Sequence, residues 1–231
     1  MPMIIDTHAH FHDITDPAAV LRDSAAGGVS DIVLPGVDLR SNQCHVRLRA
    51  DYALPRLHVA MGLHPAYVPD ESAEACFSFM REHLSDAVAV GETGLDFGYK
   101  WVRDNEAGKN EQRAAFSRHL ELARTFDLPV IVHSRGAWRE CLDMVKAAGI
   151  RRADFHWYSG PEDVLRDLLD AGFVISCSVA VEHSIDVRRA VVFAPLGSIL
   201  VETDTPAKIP SANGERIPSA PRDVWRTMRA L

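Results

Sequence analysis

Short apolar runs and amphipathic stretches alternate along the whole chain, and that alternation restricts the fold more than any other feature. The runs that read as strands are residues 3–5, 31–34, 57–61, 87–90, 130–132, 153–155, 173–175 and 199–201. Helical patterns lie between them. DPAAVLRDSAAGG has Pro17 near its start and glycines at its end, the punctuation of a helix. EQRAAFSRHLELARTFDLP spaces Ala115, Phe116, Leu120, Leu122, Ala123 and Phe126 helically and stops before Pro129. GPEDVLRDLLDAG repeats the pattern in miniature. Eight strands alternating with helices argue for a parallel sheet with crossover helices. In 231 residues this suits an α/β fold of the (β/α)8 TIM-type barrel, a single domain over residues 1–231, with its active site at the C-terminal ends of the strands. An open doubly wound sheet is the alternative. Against it, IIDTHAH stands where a GxGxxG loop would follow the first strand.

Polar residues cluster just after these runs. Asp6, His8 and His10 follow the first strand and His64 the third. Glu92 and Asp96 follow the fourth, His133 and Arg135 the fifth, His156 the sixth, and Glu202 and Asp204 the eighth. Five of the 11 histidines are among them. One histidine alone reads as structural. Five histidines with carboxylates at one barrel mouth need partners, because buried polar groups must be paired or bound. Imidazole with carboxylate suits Zn, Mn, Fe or Ni, and Mg where carboxylate and water dominate. The donors exceed one tetrahedral set, which points to two divalent ions sharing a bridging carboxylate.

A net charge of −7 argues against a general nucleic-acid coat. The four cysteines show no CxxC pairing, the first residues lack a signal-peptide pattern, and no apolar run approaches a membrane span of roughly 20 residues. A cytoplasmic, monomeric protein without membrane contact is expected.

In order along the chain, DTHAH, GLHP, GETGLDF, LPVIVHSR, FHWYSG and ETDTP resemble the TatD-type deoxyribonucleases, metal-dependent hydrolases of the amidohydrolase-like superfamily. DxHxH alone is widely shared; GETGLDF with LPVIVHSR is specific to the family. The resemblance implies one metal on His8, His10 and Asp204, a second on His133 and His156, and Glu92 bridging them. Asp204 and Glu92 would be the catalytic residues, Asp204 orienting or deprotonating the attacking water. His64 would contact phosphate. Arg135 reads equally as a phosphate clamp or a surface salt-bridge residue. Asp6 is expected to support the ligands. The implied activity is metal-dependent phosphodiester hydrolysis, as a 3′-5′ exonuclease-like deoxyribonuclease acting on DNA or a small phosphodiester. An amidohydrolase, lactonase or deaminase acting on a small molecule is the alternative. Tyr158 stands where the family usually has Phe and Thr205 where it often has a smaller residue, and the last segment departs from its pattern. Residues 222–231 then read as a short closing helix.

Among the rest, residues 99–110 read as a polar loop, Trp138 and Trp225 as helix-face packing, and Trp157 and Tyr158 as either stacking or packing groups. His12, His45, His58, His83, His119 and His183 read as surface or structural.

Overall fold

The computed structural model describes residues 3–70, 72–211 and 213–231. Eight parallel strands form one sheet in chain order: β1 (Ile4–Asp6), β2 (Val29–Pro35), β3 (Arg56–Met61), β4 (Ala89–Gly94), β5 (Val130–His133), β6 (Ala153–Phe155), β7 (Val174–Cys177) and β8 (Ile199–Val201). Helices cover the outside: α1 (Pro17–Ala26), α2 (Leu39–Asp51), α3 (Ala73–His83), α4 (Lys100–Arg103), α5 (Glu106–Phe126), α6 (Trp138–Ala147), α7 (Glu162–Asp170), α8 (Ile185–Phe193) and α9 (Val224–Ala230). This is the expected TIM-type barrel.

Local chemistry sets the helix ends. Asp16 caps α1 by accepting the Ala19 N–H (2.9 Å), with Pro17 in the first turn. Asp38 and Ser41 form a reciprocal capping box at α2. The segment expected as a loop over residues 99–110 is helical instead. It holds α4 and the first turn of α5, where Asn105 accepts the Gly108 N–H. The caps there are short polar residues without apolar periodicity, so the pattern hides the helix start.

Side chains alternate across the strands. Val130 and Val132 of β5 point outward into a core with Phe116, Leu120, Leu142 and Val145, whereas Ile131 points inward with Ala60 and Ala89. A second outer cluster joins Ile4, Leu21, Val29, Ile32 and Leu34 to Val224 of α9. The indole N–H of Trp225 donates to the Gly27 carbonyl (2.8 Å). The segment expected as a short closing helix is therefore α9, preceded by one 3-10 turn at Pro221–Asp223. A hairpin of β9 (Lys208–Pro210) and β10 (Arg216–Pro218) lies before it. Its strands are three residues long and carry Pro and charge, so no alternation announces them.

The barrel closes beyond the strands. Thr7 N–H donates to Val201 O (3.1 Å), His10 N–H to Thr205 O (2.6 Å) and Asp204 N–H to His8 O (2.9 Å), and Ala9 bridges to Thr205. Asp6, fully buried, seals this seam: it accepts the Thr203 N–H (3.0 Å), the Thr203 hydroxyl (2.6 Å) and the His8 N–H (3.3 Å). Burial pushes its carboxyl well up, against those bonds. Thr205, also buried, shares its hydroxyl with Thr203 (2.7 Å), which accounts for a hydroxyl residue there. Replacing Thr203 by Val strips a donor from a buried carboxyl. Urea unfolding should show a loss of roughly 1–3 kcal/mol; an unchanged midpoint would mean the seam is not held this way.

Candidate metal centre

The strand exits meet at one mouth, and a bulge decides what points into it. Along β4, Ala89 faces inward, so period 2 alone would turn Glu92 outward. The pairing with β5 runs Val90↔Val130 and then Thr93↔Val132, three residues against two. That extra residue rotates Glu92 into the mouth. Gly91 sits in the bulge, where a Cβ would lie 2.6 Å from the Ile131 Cβ. Only glycine lets the two strands approach there.

Three donor atoms lie close enough to share one ion, and Asp204 lies beside two of them. His8 Nε2 lies 3.1 Å from His10 Nε2, 3.4 Å from Glu92 Oε2 and 3.8 Å from Asp204 Oδ1. His10 Nε2 lies 3.5 Å from Glu92 Oε2 and 3.3 Å from Asp204 Oδ1. An ion about 2.1 Å from tetrahedral donors would hold them about 3.4 Å apart, which the His8, His10 and Glu92 atoms fit, with Asp204 Oδ1 beside His10. The other carboxylate oxygen of Glu92 faces a different group: His133 Nδ1 at 2.8 Å, His64 Nε2 at 3.6 Å and His156 Nε2 at 3.9 Å. Asp204 Oδ1 is 4.0 Å from His156 Nε2. Glu92 thus offers one oxygen to each of two donor groups.

Hydrogen bonds behind the imidazoles fix which nitrogen faces inward. His10 Nδ1–H donates to the Pro35 carbonyl (3.1 Å), and His156 Nδ1–H to Glu202 Oε2 (2.7 Å), which leaves Nε2 of each free for the centre. His133 Nε2–H donates to Asp96 Oδ2 (2.8 Å), leaving Nδ1. His64 is the reverse case. Its Nδ1 accepts the Ala66 N–H (3.0 Å), so Nε2 carries the proton and faces Glu92 Oε1 (3.6 Å) as a donor. Glu202 and Asp96 stand among the strand-exit residues but carry no role in the sequence reading. Their positions two residues before Asp204 and four after Glu92 were the available signal.

The electrostatics describe a place for positive charge. Burial opposes charge on His10, but the Asp204 and Glu92 carboxylates outweigh it and push the imidazole up to about 10. Burial likewise opposes charge on His156, and Glu202 outweighs it, again up to about 10. His133 is raised between Asp96 and Glu92 against the same penalty. Burial would raise Glu92, yet His64, His10, His133 and His8 hold it well below the usual range. Burial lowers His8, helped by His156 stacked 3.7 Å away, and lowers His64 to about 3. Without a metal, protonated imidazoles balance the carboxylates. With divalent ions in place, the same imidazoles would be neutral ligands.

The mouth is a pocket of about 630 Å³. Arg135 reaches it with Nε donating to Asp96 (3.0 Å) and its guanidinium over the Tyr99 ring (4.9 Å). Both readings of Arg135 survive in one geometry: the Nε edge pairs with Asp96, and the residue still lines the pocket. His12, read from the sequence as surface or structural, also lines the pocket. The strand ends at Asp6, so His8, His10 and His12 lie in the segment that follows it. Trp138 also lines it instead of serving only as helix packing, as does Trp157; Tyr158 is buried, with its hydroxyl donating to Pro161 O (2.8 Å). His45 and His119 are structural, accepting the Phe11 and Leu63 N–H groups. No described helix is long and apolar enough to cross a membrane.

Comparisons with known proteins identify the family and the fold. The family model described as TatD related DNase matches residues 5–231. The chain is 31% identical over 238 residues to an uncharacterized metal-dependent hydrolase TatD of Mycobacterium tuberculosis, covering 99% of this chain and 89% of that protein. It is 31% identical over 161 residues to the human deoxyribonuclease TATDN3, covering 68% of this chain and 58% of that protein. The crystal structure of YjjV, a TatD homologue from Escherichia coli, superposes with a TM-score of 0.86 at 28% identity, covering 98% of this chain and 88% of that one.

Two outcomes follow from the geometry. Asp96→Asn should weaken divalent-metal affinity roughly 10–100-fold by freeing the His133 ring; equal affinity by titration would remove Asp96 from the arrangement. The raised imidazoles also give a pH signature. Their stabilising charge is fully present below about 6.5, their unfolded value, and is lost as pH rises through about 10. The metal-free protein should therefore lose stability as pH rises across that window. Zinc should release protons at pH 7, measured by calorimetry in buffers of different ionisation enthalpy. Proton-neutral binding would contradict the assignment.

Proposed function

We propose that this chain, which belongs to the TatD related DNase family, is a metal-dependent hydrolase that cleaves phosphodiester bonds at DNA ends with two divalent ions. The observation that carries the reading is the division of Glu92, with Oε2 beside His8 and His10 and Oε1 beside His133, His64 and His156. One ion would sit on His8, His10, Glu92 and Asp204, the other on Glu92, His133 and His156. Zn, Mn and Mg are the candidates, the imidazole-rich donors favouring the first two. Bound there, the ions would lower the pKa of water from 15.7 toward about 7 and stabilise charge at the leaving oxygen.

The chain supplies the rest. Asp204, held ionised against burial by His10 and His156, accepts the proton of the attacking water. His64 stays neutral and donates its Nε2–H to a phosphate oxygen. Arg135, braced by Asp96 through Nε, turns its remaining N–H groups to the phosphate. Trp157 and Trp138 at the mouth offer faces on which a terminal base stacks, worth roughly 1–3 kcal/mol. A deoxyribonuclease named among the relatives supports DNA as substrate.

The test is hydrolysis of end-labelled single-stranded DNA and a chromogenic phosphodiester by protein stripped with EDTA and reloaded with one metal at a time. Stripping should abolish cleavage and reloading restore it, and His133→Ala should lose at least about 100-fold. Arg135→Ala should raise KM more than it lowers kcat. Turnover of an ester, amide or lactone without any phosphodiester cleavage would instead favour a small-molecule amidohydrolase, lactonase or deaminase.

A further inference from the structure

His8 and His156 follow β1 and β6 and meet face to face, with ring centroids 3.7 Å apart and planes 20° from parallel. Stacked so, they turn the same edge to one carboxylate, that of Glu202 after β8. Its Oε2 lies 2.7 Å from His156 Nδ1 and 3.8 Å from His8 Nδ1. Only the shorter distance is a hydrogen bond. His8 and Glu202 are both wholly buried, and each keeps an atom without a partner among the described residues: His8 Nδ1 and Glu202 Oε1. Buried polar atoms are ordinarily paired, and these two belong to side chains that already face each other. The Glu202 backbone is pinned, its N–H donating to Cys177 O (3.0 Å) and its carbonyl accepting the Thr227 hydroxyl (3.1 Å), so adjustment falls to the side chain.

We propose that Glu202 is a positioning residue for both donor groups, holding the Nδ1–H of His8 as well as that of His156; the proposal rests on the two-ion reading for what these imidazoles ligate. His8 Nε2 lies in the first donor group, 3.1 Å from His10 Nε2 and 3.4 Å from Glu92 Oε2. A neutral imidazole that binds through Nε2 carries its proton on Nδ1. That buried proton needs an acceptor, and Glu202 is the carboxylate facing it. The last torsion of a glutamate is broad, so a small turn of the carboxylate closes the His8 contact while His156 keeps its own. Two carboxylate oxygens have lone pairs enough for both N–H groups. One side chain then fixes the inward nitrogen of a ligand in each group, whereas Asp96 serves one imidazole, that of His133. Glutamine at this position makes the difference readable. It keeps one accepting oxygen for His156 and turns amide N–H groups toward His8, which favours the tautomer protonated at Nε2.

The test follows histidine ring nitrogens by NMR in the full-length protein, isotopically labelled at histidine, stripped by EDTA and titrated with zinc. At saturation His8 and His156 should both carry their proton on Nδ1. Glu202→Gln should keep the His156 signal, lose the Nδ1 proton of His8 and weaken zinc at His8 and His10 roughly 10–100-fold, while Asp96→Asn leaves the His8 signal unchanged. A role confined to His156 predicts native zinc binding at His8 in Glu202→Gln, and that result would overturn the proposal. Should the variant fail to fold, a crystal of the zinc-loaded native protein decides. A Glu202 oxygen within about 3.2 Å of Nδ1 on each ring is expected; a His8 Nδ1 without that contact refutes the shared role. The two readings fail separately. One zinc per chain with both Nδ1 protons present contradicts the two-ion reading and upholds the role of Glu202, and two zincs with His8 unprotonated at Nδ1 do the reverse.

Discussion

Everything at the mouth depends on burying carboxylates that cannot stand alone. Glu92 is 3% exposed, and Asp96 and Glu202 are fully buried, a few ångströms from five imidazoles. Ionised carboxylates in such a site require positive charge nearby, or they take up protons. The raised imidazoles of His10 and His156, pushed up to about 10, and of His133, pushed up between Asp96 and Glu92, answer this demand, and the proposed ions would answer it with fewer protons. The β4 bulge exists within this constraint. Without its extra residue, Glu92 would lie on the hydrophobic outer face with Val90.

Supporting bonds turn this electrostatic demand into geometry. Pro35, Glu202 and Asp96 each hold the back of one imidazole, and so determine which nitrogen meets the centre. His64 has its inward nitrogen protonated by the same logic applied in reverse. The tautomer of His64 therefore rests on one backbone N–H, that of Ala66. The seam between the first and last strands does the same at larger scale. The Asp6–Thr203 pair and the Ala9–Thr205 bridge bring Asp204, nearly 200 residues downstream, against His8 and His10.

Much of this was legible in the chain because barrel topology sends every strand exit to the same mouth. His8, His10, His64, Glu92, His133, His156 and Asp204 could be gathered from spacing and family motifs alone, and the structure places them within one pocket and its floor. The supporting roles of Asp96 and Glu202 were not legible, since a carboxylate behind an imidazole and one beside it look alike in sequence. The inward turn of Glu92 rests on a register shift that no pattern within β4 announces. His12 and Trp138 reach the mouth through turns after their strands, beyond what periodicity describes.

Bridging by Glu92 is most directly tested by anomalous diffraction from crystals of the zinc- or manganese-loaded protein. Two peaks are predicted, one about 2.0–2.2 Å from Nε2 of His8 and His10 and Oε2 of Glu92, the other beside Oε1 of Glu92 with His133 and His156. A competing donor group, His8 with His156 and Glu202, also lies within reach of one ion. A single peak on Glu202, with Glu92 bound to no metal, would contradict the account.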